Sequence, residues 1–329
     1  EPLIDWLEAI VAPGQRTAEV HYGCRGWVLH HVSDQWGTTC PCAGAFGIWP
    51  VGGAWMVQHV WWHYEYSRDL DFLRQRGWPL IQGAARFILD FLVEAPAGTP
   101  VAGKLVTCPS HSPENTFIGA DGQPSMLTYA ATMDTAIVRE LLEICIRCCE
   151  RLECDAEFAD EARAALARLP EYQISERTGG IQEWIEDYEE AEPGHRHMSH
   201  LFGLYPGTSI SPQTTPDLAQ ACAKSMRRRM EYCTNQNQDT AWALGWRACL
   251  WARLGEGNEA LVDLERALGH RSTPNLMVQS NGRPQVADAH GLSAAVCELL
   301  LQDYDGLIRL LPALPGDWAE GAVTGLRSR

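Results

Sequence analysis

Pro109-Ser110-His111-Ser112-Pro113-Glu114-Asn115 interrupts a chain that otherwise reads as one helix after another. The stretch is short and polar, and its prolines stiffen it. Each ring locks its own φ, and Pro113 steers Ser112 away from helix. A small apolar run precedes it, Lys104-Leu105-Val106-Thr107-Cys108. A lone carboxylate on such a loop has what a general acid needs, a proton donor that cannot wander. A helix-breaking turn with an N-capping Ser or Asn explains the same residues, and alone they favour that plainer reading.

Working outward from this loop, the apolar spacing is helical. Leu3, Ile4, Leu7, Ile10 and Val11 form a stripe across residues 2–22, weakened at Gly14. A long loop from Gly23 to Pro50 carries His30, His31, Asp34 and Trp36, and loops of that length are usually functional. Helical patterns return over 52–66, rich in Trp and Tyr, and over 69–93, where Pro79 starts a new helix at its first turn. Beyond the central loop, Thr132-Met133-Asp134 reads as the cap of a helix ending near Leu152, so Asp134 is expected to cap rather than catalyse. A further helix covers 156–169, loops dominate 170–215, and helices resume over 216–232, 239–254, 257–269 and 287–303. The run Leu310-Leu311-Pro312-Ala313-Leu314-Pro315 is extended.

The fold class is therefore all-α. About ten helices in pairs suggest a toroid of helical hairpins, with the long loops gathered at one rim. No repeat of fixed period is present, which disfavours a regular solenoid.

Net charge is −16 over 329 residues, a poor match for a phosphate backbone, so no nucleic acid is expected as a partner. Neutral sugars meet no such penalty. Thirteen Trp and nine Tyr exceed what the core needs, and flat rings with polar edges suit sugar faces. Most of them are nonetheless expected between helices. No apolar run reaches membrane-spanning length, so no membrane association is expected.

Twelve Cys follow no disulfide framework. Cys145, Cys148 and Cys149 read as buried thiols of a helix, and zinc there lacks a second ligand pair. Many unpaired Cys lean towards a reducing compartment, with secretion left open. The chain starts at Glu1 without a Met and stops at Arg329. It is expected to be part of a longer protein.

The loops concentrate the polar side chains. One has His30, His31 and Asp34; the central one has Glu114; a third has Gln182, Glu183, Trp184, His195, Arg196, His197 and His200; a fourth has Asn275, Gln285, Asp288 and His290. Gathered at one rim, they would build a polar pocket with aromatic walls, suited to glycoside hydrolysis by one carboxyl as acid and another driving water. Glu183 rivals Glu114 as the acid, since the indole beside it could desolvate its carboxyl. The histidines at 195, 197 and 200 fit no common zinc spacing, and Arg196 between two of them opposes a cation. A helical metalloenzyme using them is the weakest reading.

Several motifs in the same order resemble glycoside hydrolase family 95. They are Gly23-Cys24-Arg25-Gly26-Trp27-Val28-Leu29-His30-His31 with Asp34 and Trp36, Trp49-Pro50-Val51-Gly52-Gly53-Ala54-Trp55, His63-Tyr64-Glu65-Tyr66 and Ser112-Pro113-Glu114-Asn115. Gln182-Glu183-Trp184, His195 to Leu201, Thr240-Ala241-Trp242, Trp251 to Leu254 and Leu310 to Pro315 continue the series almost to the end of the chain. The resemblance implies an (α/α)6 barrel incomplete at its N-terminus over residues 1–304, and a short extended segment, 305–329, leading to a β domain outside this chain. It implies an inverting α-L-fucosidase, or an α-L-galactosidase, acting on terminal residues of oligosaccharides or glycans without metal or organic cofactor.

The same resemblance implies that Glu114 is the general acid and that Arg196 and His197 bind the sugar, with His31, Trp184 and Gln285 shaping the pocket. In the family an asparagine polarised by an aspartate activates the water. Its Asn-x-Asn motif would precede Glu1, so this chain alone is expected to be inactive. The aspartate pattern departs too. In Pro284-Gln285-Val286-Ala287-Asp288-Ala289-His290-Gly291, an ungapped match puts Ala287 at the aspartate position and Asp288 one residue on. One residue is about a 100° turn of helix; a loop one residue longer would restore Asp288 to the role. A sugar-binding relative without turnover is the alternative that these departures raise.

Overall fold

The computed structural model describes residues 2–233, 239–275, 277–280 and 283–329. Helices dominate, and among the described residues the strands are two to four residues long. The chain divides into two compact units.

The first unit comprises residues 1–114, 119–172 and 183–188. Its helices are α1 (Pro2–Thr17), α2 (Gly52–Ser67), the single turn α3 (Leu70–Phe72), α4 (Trp78–Phe91), α5 (Thr132–Leu152) and α6 (Ala156–Ala167). The stripe read over 2–22 is helical throughout, with its last turn, Ala18–Tyr22, widened to a π-helix. Gly23 closes it with φ at 66° and donates its N–H to Glu19 O at 3.0 Å. Pro79 does open α4, in its first turn.

Helix α5 is the spine of this unit and packs against α2, α4 and α6. Its apolar residues recur at helical spacing, with Met133, Ile137, Leu141, Ile144, Cys145, Cys148 and Leu152 all buried. Each large aliphatic contributes roughly 1.5–3 kcal/mol by burial. Cys145, Cys148 and Cys149 are core thiols, and burial pushes all three up in pKa. All twelve cysteines are free thiols.

Trp27 locks the long loop onto the helices. Its indole Nε1 donates to Leu80 O at 3.0 Å. The ring lies where two helix glycines leave room: a Cβ on Gly83 would be 2.6 Å from Trp27 Cδ1, and one on Gly53 would be 2.9 Å from Cζ3. Gly14 serves the same segment rather than weakening α1. Val28 N donates to its carbonyl at 3.2 Å, and a Cβ there would lie 3.0 Å from Val28 O.

The second unit comprises residues 115–118, 173–182 and 189–329. Its helices are α7 (Pro216–Tyr232), α8 (Ala241–Arg253), α9 (Gly257–Arg271) and α10 (Val286–Leu300). Thr240 caps α8, its hydroxyl accepting from Ala243 N at 3.2 Å. Almost every residue of α8 is buried, and it packs against α9 and α10. Gly245 sets the approach to α10, since a Cβ there would lie 3.1 Å from the Gly291 carbonyl carbon.

Charges inside this unit are paired, as burial demands. Arg247 bonds Asp263 at 2.5 and 2.7 Å and Asp239 at 3.2 Å. Arg253 bonds Glu298 at 2.6 Å, with its guanidinium 4.2 Å from the centre of the Tyr304 ring.

Helix α10 stops at Leu300, three residues before the expected end. Leu301–Tyr304 pairs instead with Leu307–Leu310 as an antiparallel hairpin turning at Asp305-Gly306. The alternation favours this: Gln302 and Tyr304 point inward, and Gln302 Nε2 donates to Ala252 O at 2.8 Å. No helix among the described residues is long and apolar enough to cross a membrane.

Candidate active site

In the first unit, the loop that opened the sequence reading is held from below by Asp134. Ser110 Oγ donates to Asp134 Oδ2 at 2.6 Å, Thr107 Oγ1 to the same oxygen at 3.4 Å, and Trp49 Nε1 to Oδ1 at 2.8 Å. Ser110 also accepts from Ala131 N at 2.8 Å. The capping expectation for Asp134 is thereby corrected: the cap position of α5 is Ala131, with no side-chain cap bond. Asp134 instead ties together three segments. Burial raises its pKa to about 7, against the lowering effect of the hydrogen bonds it accepts, that from Ser110 foremost.

A second pin follows. Ser112 Oγ donates to Glu183 Oε1 at 2.8 Å, and Thr132 N donates to Glu183 O at 3.1 Å. Glu183, the rival acid, is thus buried and bonded to the loop. Glu114 differs. It follows a cis Pro113–Glu114 peptide bond, and 23% of its side chain remains accessible. His31 Nε2 lies 3.5 Å from Glu114 Oε1. The His31 ring meets Trp49 edge-on at 6.3 Å, and Trp49 meets Trp55 in the same way at 5.7 Å. Neighbouring His30 is structural: Nδ1 contacts Thr39 O at 2.6 Å and Nε2 the Tyr22 hydroxyl at 2.5 Å. Trp184 is 2% exposed, with its ring 6.4 Å from Tyr188.

In the second unit, residues 195–200 are buried except at Arg196 and His197. His195 and His200 are buried; Arg196 and His197 are half-buried. His195 Nδ1 accepts from His197 N at 3.2 Å. The His197 ring lies 4.7 Å from that of Trp242, which meets Trp246 edge-on at 5.0 Å. Burial, then the charge of Arg229, takes His200 down to about 3, so it is neutral. Among the described residues no three His, Cys, Asp or Glu side chains are grouped to hold a metal ion. The metalloenzyme reading of His195, His197 and His200 finds no support in this geometry.

Gln285 precedes α10 and is exposed. In the first turn of α10, Ala287 is exposed and Asp288 is fully buried, so Asp288 is the residue turned inward. Asn275 is exposed and accepts from the Thr273 hydroxyl.

Sequence reasoning brought His31 and Glu114 to loops, and the structure sets them side by side. It missed Asp134 as the organiser, because its Trp49 and Ser110 partners lie 85 and 24 residues away with no local pattern to link them. The aromatic neighbour of His197 was quoted in a motif without a role.

The Glu114 carboxyl is thus loop-borne on a helical scaffold, with His31 beside it and Trp49 against His31. Comparisons with known proteins supply the family. The glycosyl hydrolase family 95 catalytic domain matches residues 1–300, and the chain belongs to that family. It is 39% identical to "Alpha-L-fucosidase 2" of Arabidopsis thaliana, over all of this chain and 39% of the relative. It is 31% identical to "Probable alpha-fucosidase A" of Aspergillus niger, over all of this chain and 43% of the relative. The chain thus spans about two-fifths of the length of these curated relatives. Among solved structures, it resembles "Putative kojibiose phosphorylase from human microbiome" with TM-score 0.57 at 10% identity, over 92% of this chain and 46% of the other.

Proposed function

We propose that the protein containing this chain hydrolyses terminal α-L-fucosyl, or closely related α-L-galactosyl, residues of oligosaccharides or glycans with inversion at the anomeric carbon. Glu114 supplies the proton to the departing oxygen. Asp288 supports the water-activating side. His31, Trp184, Arg196, His197 and Gln285 shape the sugar site. The observation that carries this reading is the part-accessible Glu114 carboxyl on a loop pinned through Ser110 and Ser112, with His31 at 3.5 Å. Family membership supports the substrate class. The likeness to a solved structure supports the helical fold class, and on the family resemblance residues 1–304 are read as an (α/α)6 arrangement with 305–329 leading towards a β domain. Two polar groups and a water suffice for the chemistry, so no cofactor is invoked.

Proton nuclear magnetic resonance of the first sugar released from an α-L-fucoside by the full-length protein tests this. The β-anomer appearing first is expected. Release of the α-anomer first, or no release, would overturn it. A second reading, a sugar-binding relative without turnover, draws on Ala287 at the position of the family aspartate. Fucose binding without release would select it.

A further inference from the structure

His111 is wholly buried, and neither of its ring nitrogens has a hydrogen-bond partner within the protein; the same holds for Nδ1 of His31. His111 sits within packed surroundings. Its backbone is paired with Leu127 in a short ladder, and its ring packs on Phe46 with centroids 6.0 Å apart. The flanking hydroxyls are spent elsewhere, Ser110 on Asp134 and Ser112 on Glu183.

We propose that His111 is a positioning residue of the Glu114 site: with His31 it holds one hydroxyl group, a water in the free protein and a sugar hydroxyl in the complex, and so fixes the ring of His31 against Glu114. The proposal rests on Glu114 being the acid. Its chemistry follows from what a neutral imidazole offers, one donor and one acceptor. A hydroxyl is both, so it can bridge one nitrogen of His111 and Nδ1 of His31. A carboxylate would use only the donor and a cation only the acceptor. Burial, with the nearby His31 adding to it, lowers His111 to about 4, which keeps the ring neutral in use. The titratable groups around it are His31 from the long loop, Glu114 from its own loop, Glu183 bonded to Ser112, and Asp134 of α5, which accepts from the His111 backbone N–H.

With the other nitrogen of His31 held by the bridging hydroxyl, Nε2 stays aimed at Glu114 Oε1. Loss of the bridge frees the ring to turn or change tautomer, and the acid loses its fixed neighbour.

The test compares H111F, H111N and E114Q in the full-length protein on a fucoside whose leaving group is a sugar alcohol, across pH, with thermal melting alongside. H111F is expected to melt no lower than wild type, because two buried polar atoms are removed at similar volume. Its kcat/KM is expected to fall about 10-fold or more, with a displaced pH limb, and H111N is expected to recover part of both. If H111F fails to fold, H111A, which leaves room at the site, is read in the same way. Wild-type kcat/KM and pH profile in H111F, beside an inactive E114Q, would overturn the role of His111 and leave Glu114 standing. An E114Q variant as fast as wild type would instead remove the acid, and this inference with it.

Discussion

Asp134 is the residue whose chemistry reaches furthest from its own position. It accepts from Trp49, Ser110 and Thr107 beneath the Glu114 loop, and burial raises its pKa to about 7. An unfolded aspartate titrates near 3.9. Between about pH 4 and 7 the folded chain therefore holds a proton that the unfolded chain has lost. The Asp134 contribution to stability is complete below pH 4 and disappears as pH rises through 7, at no more than about 1.4 kcal/mol per pH unit. D134N should flatten this part of the melting-temperature profile; an unchanged profile would show that the carboxyl is ionised throughout. D134A should do more. It leaves the Trp49 and Ser110 donors buried without an acceptor, at about 1–3 kcal/mol each, and should depress activity together with melting temperature.

At the scale of elements, close contacts decide how the pieces fit. Trp27 sits between α2 and α4 because Gly53 and Gly83 have no side chains there. G83A should cost about 1–3 kcal/mol by overpacking, and W27F beside it should recover part of that, which chemical denaturation of both variants would measure. In the second unit, R247L should cost about 3–5 kcal/mol, because it strands Asp263 as a buried charge, while Asp239 keeps its pairing with Arg266. A loss under 1 kcal/mol would mean that water reaches the pair. These features mark where sequence legibility ended. The 3.6-residue stripes placed the helices, and Pro79 marked a start, because those signals are local. The end of α10 was missed, since Gln302 is drawn into strand by a carbonyl 50 residues away. Gly14 and Gly83 carried no mark of the backbone and ring that pass over them.

At the scale of the molecule, a net charge of −16 leaves neutral glycans as reasonable ligands, and family membership is secure from end to end of the matched region. The placement of Glu114 on a stiffened loop was legible from its prolines, whereas the acid role proposed for it came from the family resemblance. His111 was not, because a histidine between two serines gives no sign that neither ring nitrogen will find a hydrogen-bond partner in the protein. The central claim, that Glu114 is the proton donor, is tested most directly by leaving-group dependence. Wild type and E114Q of the full-length protein are compared on a fucoside whose leaving group is a sugar alcohol and on the 4-nitrophenyl fucoside. E114Q should lose about 10²–10⁴-fold on the sugar substrate, where the departing oxygen needs a proton, and far less on the nitrophenyl one, where it does not. Equal losses on both substrates, or none on either, would contradict it.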